Sequence, residues 1–192
     1  MVAKGLNFEN VTLVGVILAD QSLYAGDYRA SERTFNLITQ VVGRSGRGEK
    51  IGRALIQTYT PGNEVILNAA KQDYDAFYAS EIEARKLLLA PPVRTLYAVT
   101  VAGEEEEQVL RCAAQLKTAF ERAGKNLRDF RVLGPAPAGI LRVNNRYRYR
   151  VTLNTPPGGE VRALMAAALR QYGANKQNRG LTLYGDVDAA DM

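Results

Sequence analysis

Gln40, Gly43, Arg44, Gly46 and Arg47 fall in the run Gln-Val-Val-Gly-Arg-Ser-Gly-Arg, which ends an amphipathic stretch and opens a glycine-rich loop. Two arginines three residues apart in such a setting suit an anion. A guanidinium is permanently charged and offers a planar fork of donors that fits a pair of phosphate oxygens, which a lysine ammonium does not reproduce. Gly43 and Gly46 let the backbone come close to whatever the arginines hold. A helix that ends in glycine beside basic residues explains a single Arg-Gly pair through its C-cap and dipole. It leaves Gln40 unexplained.

The rest of the composition narrows the chemistry. With one cysteine, Cys112, and no histidine in 192 residues, the chain has no internal disulfide, no thiolate zinc cluster and no histidine catalysis. Cys112 sits on an apolar helical stripe and reads as core. Glu104 to Glu107 open a helix, where its dipole favours acids, so no metal site is assigned to them. Hydrophobic residues at 46% and charged residues at 23% describe a globular chain, and no apolar run approaches a membrane span. The start, Met1-Val2-Ala3-Lys4-Gly5, has no signal-peptide core and reads as the interior of a larger protein, so the expected location is the cytoplasm.

Net charge is +5, and its location is informative. Between Leu127 and Arg150 stand Arg128, Arg131, Arg142, Arg146, Arg148 and Arg150 against Asp129 alone. That is the electrostatic footprint of a phosphate backbone, or else of a solvated arginine-rich face.

The elements that must position these residues follow from periodicity. Val11 to Leu18 is a nearly continuous β-branched and apolar run, which predicts a strand buried on both faces of a parallel sheet. A helix follows, with Asp27 or Ser31 as cap and Phe35, Ile38, Val41 and Val42 on its inner face; it delivers Gln40 and the two arginines. Arg53 to Tyr59 predicts a second strand. A helical region runs from about Glu64 to Ala90 with a break near Asp73, and Pro91-Pro92 stops it. Beyond it, Arg94 to Ala102 reads as strand, Glu104 to Ala123 as helix and Phe130 to Leu133 as a short strand ended by Gly134-Pro135-Ala136-Pro137. Asn145 to Asn154 then reads as strand, Glu160 to Tyr172 as helix and Leu181 to Val187 as strand. Ile140 to Val143 either extends the second strand or begins a hairpin. The order βαββαβ is the split βαβ, ferredoxin-like pattern.

Side chains alternate across a sheet, so Arg146, Arg148 and Arg150 share one face while Tyr147, Tyr149, Val151 and Leu153 share the other. The apolar face belongs to the helices. Three arginines on the open face need counter-anions: a nucleic-acid backbone, an acidic peptide, or carboxylates such as Asp186 and Asp188 on a neighbouring strand.

Several of these runs, in this order, resemble the C-terminal third of the bacterial primosomal replication-restart DNA helicases. Gln40 to Arg47 is similar to the sixth motif of superfamily-two helicases, and Lys4-Gly5 through Phe8 with the following strand to the fifth. Asp27-Tyr28-Arg29-Ala30, Gln57-Thr58-Tyr59, Val132-Leu133-Gly134-Pro135-Ala136-Pro137, Arg146-Tyr147-Arg148-Tyr149 and Asp186-Val187-Asp188 continue the likeness.

The resemblance implies a partial RecA-like helicase lobe at 1–60, a connecting helical region at 61–92 and a C-terminal DNA- and protein-binding domain at 93–192, an α/β unit followed by an α+β one. It implies an ATP-driven 3′ to 5′ DNA helicase that recognises stalled or branched forks and starts primosome assembly in the cytoplasm, at the nucleoid. Arg44 and Arg47 would then be arginine fingers. Gln40 and Gly43, with Lys4 and Gly5, would contact the nucleotide or couple it to DNA, and Arg142, Arg146, Arg148 and Arg150 would contact DNA. ATP and Mg²⁺ would be cofactors of the intact protein, and the family's zinc would lie outside this chain. Forked DNA, single-stranded-DNA-binding protein and other primosome proteins would be the partners. The sequence contains no Gly-x-x-x-x-Gly-Lys-Ser/Thr phosphate loop, so ATP hydrolysis by these 192 residues alone is not expected. The alternative is a non-enzymatic nucleic-acid-binding or docking module.

Overall fold

The structure, a computed structural model, describes residues 11–43 and 52–189. The chain divides into two units, Met1–Ala84 and Arg85–Met192.

In the first unit, β1 (Leu13–Val16) and β2 (Arg53–Ile56) pair in parallel, with Leu13 opposite Arg53 and Val16 opposite Ile56. Between them in sequence lies α1 (Ala30–Val42), whose Phe35 and Ile38 are buried against Val16. The apolar run around β1 predicts cover on both faces, but only one face has it. Val16 is buried, whereas Leu13 is 59% exposed and Leu55, on the same face by register, is 63% exposed. The packed layer, made of α1, α2 (Glu64–Lys71) and Phe77 of α3 (Tyr74–Leu88), lies on the Val16 side.

Asp27 does not cap α1. Its Oδ1 accepts the backbone N–H of Arg29 at 2.7 Å and its side chain pairs with Arg33, which closes the turn ahead of the helix; Ser31 lies inside the helix. The break near Asp73 separates α2 from α3. Gln72 turns left-handed at φ 58°, and Asp73 accepts the N–H of Ala76 at 3.0 Å.

The second unit is a mixed α/β domain on an antiparallel sheet. Its elements are β3 (Thr95–Gly103), α4 (Glu106–Ala123), β4 (Arg131–Val143), β5 (Arg146–Thr155), α5 (Glu160–Ala174) and β6 (Thr182–Val187). The strands lie in the order β4-β5-β3-β6, every neighbouring pair antiparallel. Tyr97, Val99, Val101, Val151 and Leu153 meet Val109, Cys112, Leu116 and Phe120 of α4 and Val161 and Met165 of α5 in one core. Burial pushes the Cys112 thiol up to about 11, which fits a packing residue and leaves little thiolate at neutral pH.

Gly134-Pro135-Ala136-Pro137 does not end β4: the strand runs through it with two register shifts, and Ile140 to Val143 extends the strand, one of the two readings the sequence leaves open. It lies at the sheet edge, where a proline's missing N–H does not break a ladder on both sides. Gly134, at φ 94°, makes the first shift possible, since a Cβ there would come within 2.6 Å of the Arg150 carbonyl oxygen. Asn144 and Asn145, at φ 49° and 61°, form the two-residue turn that matches the twist of a hairpin. Among the described residues, no helix is long and apolar enough to cross a membrane.

Candidate functional site

By register, Arg148 lies opposite Ala102 of β3 and Arg150 opposite Thr100, with Thr182 and Tyr184 of β6 next along. The centre of this face is therefore small, and the arginines reach across it. Arg148 Nη2 donates to the Tyr184 hydroxyl at 3.0 Å, spanning β3 from one flanking strand to the other. Arg146 Nη2 lies 3.0 Å from the Ala102 carbonyl, 3.1 Å from the Gly180 carbonyl and 2.9 Å from Thr182 Oγ1.

All these acceptors are neutral. Among the described residues, neither Arg146 nor Arg148 forms an ion pair, and the two carboxylates nearest in pattern are used otherwise. Asp186 accepts the N–H of Val187 at 2.8 Å, and Asp188 accepts that of Leu96 at 2.9 Å. Hydrogen bonds fix the two guanidinium groups in place without cancelling their charge.

The other two arginines grouped with them stand elsewhere. Arg150 is only 9% exposed and belongs to the interior of the face. Arg142 is opposite Tyr147, and its guanidinium carbon is 4.8 Å from that ring centroid, a cation–π contact. Tyr147 has the parity of the helix-facing residues, so Arg142 stands on the opposite side of the hairpin from Arg146 and Arg148.

Residues with no local sequence signal complete the frame. Arg94, buried, donates through Nε to Asn154 Oδ1 at 2.8 Å and so ties the start of β3 to the end of β5. The Tyr149 hydroxyl donates to Glu106 Oε1 at 2.6 Å, and this hydrogen bond holds the phenol above its ordinary range. Glu106 thus serves β5 as well as the helix dipole.

In the first unit, Gln40 and Gly43 are exposed at the end of α1. Gly43 keeps a right-handed φ of −66° and donates its N–H to the Thr39 carbonyl at 2.9 Å, so this helix end does not use the left-handed glycine cap. Arg44, Arg47, Lys4 and Gly5 lie outside the described residues. Beyond the carboxyl ends of β1 and β2, Asp20 accepts the Tyr59 N–H at 2.8 Å and the Thr58 hydroxyl at 2.6 Å, with Thr60 as a third donor. The two threonine hydroxyls hold its carboxyl down to about 2. Among the described residues, no cluster of acidic or cysteine side chains could hold a metal ion.

The family profile described as the primosomal protein N C-terminal domain matches residues 86–190. The chain is 41% identical over 172 residues to the replication restart protein PriA of Bacillus subtilis (strain 168), covering 90% of this chain and 21% of that protein. It is 40% identical over 156 residues to PriA of a Synechocystis strain, covering 81% of this chain and 18% of that protein. Against PriA of Haemophilus influenzae the identity is 30% over 194 residues, covering 100% of this chain and 26% of that protein. The chain thus spans 18 to 26% of the length of these relatives.

Proposed function

The chain belongs to the PriA family of replication restart proteins through its C-terminal domain, and we propose that the antiparallel sheet of that domain binds the phosphate backbone of branched DNA. One observation carries the reading. Arg146 and Arg148 are held across the open face by neutral acceptors and retain their full charge, so a phosphate can bind there without displacing a carboxylate. Tyr184, whose hydroxyl accepts from Arg148, adds an exposed aromatic ring to the same face. Counterion release makes such contacts salt-dependent, with a slope of about −0.9 in log K against log salt for each phosphate neutralised.

The test is fluorescence anisotropy on forked, duplex and single-stranded DNA over a salt series, with the chain and with Arg146→Ala/Arg148→Ala. The variant binds more weakly to all three, with a salt slope shallower by about 2. Equal affinity and slope in both proteins would remove this face from the DNA site. Displacement of DNA by an acidic peptide such as a tail of single-stranded-DNA-binding protein would extend its use to protein docking.

We further propose that the first unit is part of a RecA-like helicase lobe acting only in the full-length protein. A parallel pair of strands connected through α1, which ends at exposed Gln40 and Gly43, supports this reading. In it, Gln40 and Gly43 face the nucleotide, Lys4 and Gly5 couple it to DNA, and Arg44 and Arg47 stabilise the charge that develops on the terminal phosphate of ATP–Mg²⁺ held by another lobe.

A further inference from the structure

The β4–β5 hairpin carries a feature that phosphate binding does not use. Between the pairs Pro137–Tyr149 and Arg142–Tyr147, four residues of β4, Ala138 to Leu141, stand against the single residue Arg148. Ala138 is buried and anchors this bulge, while Ile140 is 65% exposed and Leu141 37%. The bulge therefore presents two branched aliphatic side chains to solvent just before the Asn144-Asn145 turn.

The charge around it is one-sided in sign and two-sided in space. From Phe130 to Gly159 there is no aspartate or glutamate. Arg142 stands on one face of the hairpin, stacked on Tyr147, and Arg146 and Arg148 on the other. None of the three forms an ion pair among the described residues. An apolar point flanked on both faces by uncompensated guanidinium groups matches two polyanionic backbones that part around it. Aliphatic side chains are known as wedges that enter a base stack and unstack a step.

We propose that this hairpin is the branch-sensing wedge of the domain: Ile140 and Leu141 enter the base stack where two DNA strands separate, while Arg142 on one side and Arg146 and Arg148 on the other hold the two departing backbones. The proposal rests on the DNA-binding reading above and names the structure that reading would recognise.

The chain contains no tryptophan, so Ile140→Trp introduces a single indole at the bulge. Its fluorescence is followed on titration with forked DNA, with blunt duplex of equal length and with phosphatidylglycerol vesicles. In parallel, 2-aminopurine placed at the branch point reports unstacking by the unaltered chain and by Ile140→Ser/Leu141→Ser. Both positions are solvent-exposed, and circular dichroism checks that the variants fold. The fork quenches the indole and the duplex does not; the unaltered chain brightens 2-aminopurine. The double variant leaves 2-aminopurine dark, keeps its duplex affinity and loses about five- to tenfold in fork affinity, the scale of one lost base contact.

Fork binding with a normal salt slope but a silent indole and dark 2-aminopurine would overturn the wedge and leave the phosphate-binding reading standing. No binding of any DNA by the unaltered chain would overturn both. A response to the vesicles in place of DNA would assign the tip to a lipid surface and overturn the wedge.

Discussion

At the scale of single residues, both units depend on side chains that satisfy partners far away in sequence. Tyr149 and Glu106 are 43 residues apart, Arg94 and Asn154 are 60 apart, and Asp20 meets Thr58 and Tyr59 across 38 and 39. None of these pairs follows a local period, so none was legible in the sequence, although each residue type was visible. The Tyr149 contact makes a checkable pH dependence. Its phenol titrates above the ordinary tyrosine value of about 10 because Glu106 accepts its proton in a hydrogen bond. A group whose folded pKa is raised contributes stability below its unfolded pKa and loses it as pH climbs through the folded one. Tyr149→Phe should therefore melt a few degrees lower at pH 7, with the gap to the unaltered chain closing above pH about 10. Melting curves across pH 7 to about 11 check this; a gap that stays constant would mean the hydroxyl acts only through packing.

At the scale of elements, periodicity conveys the helices and the βαββαβ order, because α4 and α5 each bury one stripe and the first half of β5 alternates arginine with tyrosine. It fails on β4. Gly134-Pro135-Ala136-Pro137 has the composition of a turn, and only the position of β4 at the sheet edge lets these residues remain strand. The same irregularity hides the place of Arg142, because the four residues facing Arg148 break the alternation that composition alone would extend. The first register shift depends on one glycine. Gly134→Ala adds a Cβ at φ 94° against the Arg150 carbonyl and should cost about 1–3 kcal/mol, read as a lower urea midpoint with an unchanged slope. An unchanged midpoint would show that β4 can shift register at no cost.

At the scale of the whole molecule, the charge excess lies in the second unit and the arginine pair Arg44 and Arg47 in the first, so the two have separable tests. In the full-length protein, Arg44→Ala and Arg47→Ala should each lower DNA-stimulated ATP hydrolysis on the order of a thousandfold while fork affinity stays unchanged. Loss of fork affinity with hydrolysis intact would instead place these arginines on DNA.

The central strand of the sheet settles a different matter. Ala98, Thr100 and Ala102 are buried although they point away from the helices, and Arg148 reaches across the strand from its place opposite Ala102 to Tyr184, opposite Thr100. Their small size sets the depth at which the guanidinium groups rest, and so the distance at which a ligand meets positive potential. β3 thus acts as a depth gauge for the charged surface, and selection can adjust how strongly that surface attracts without altering any arginine.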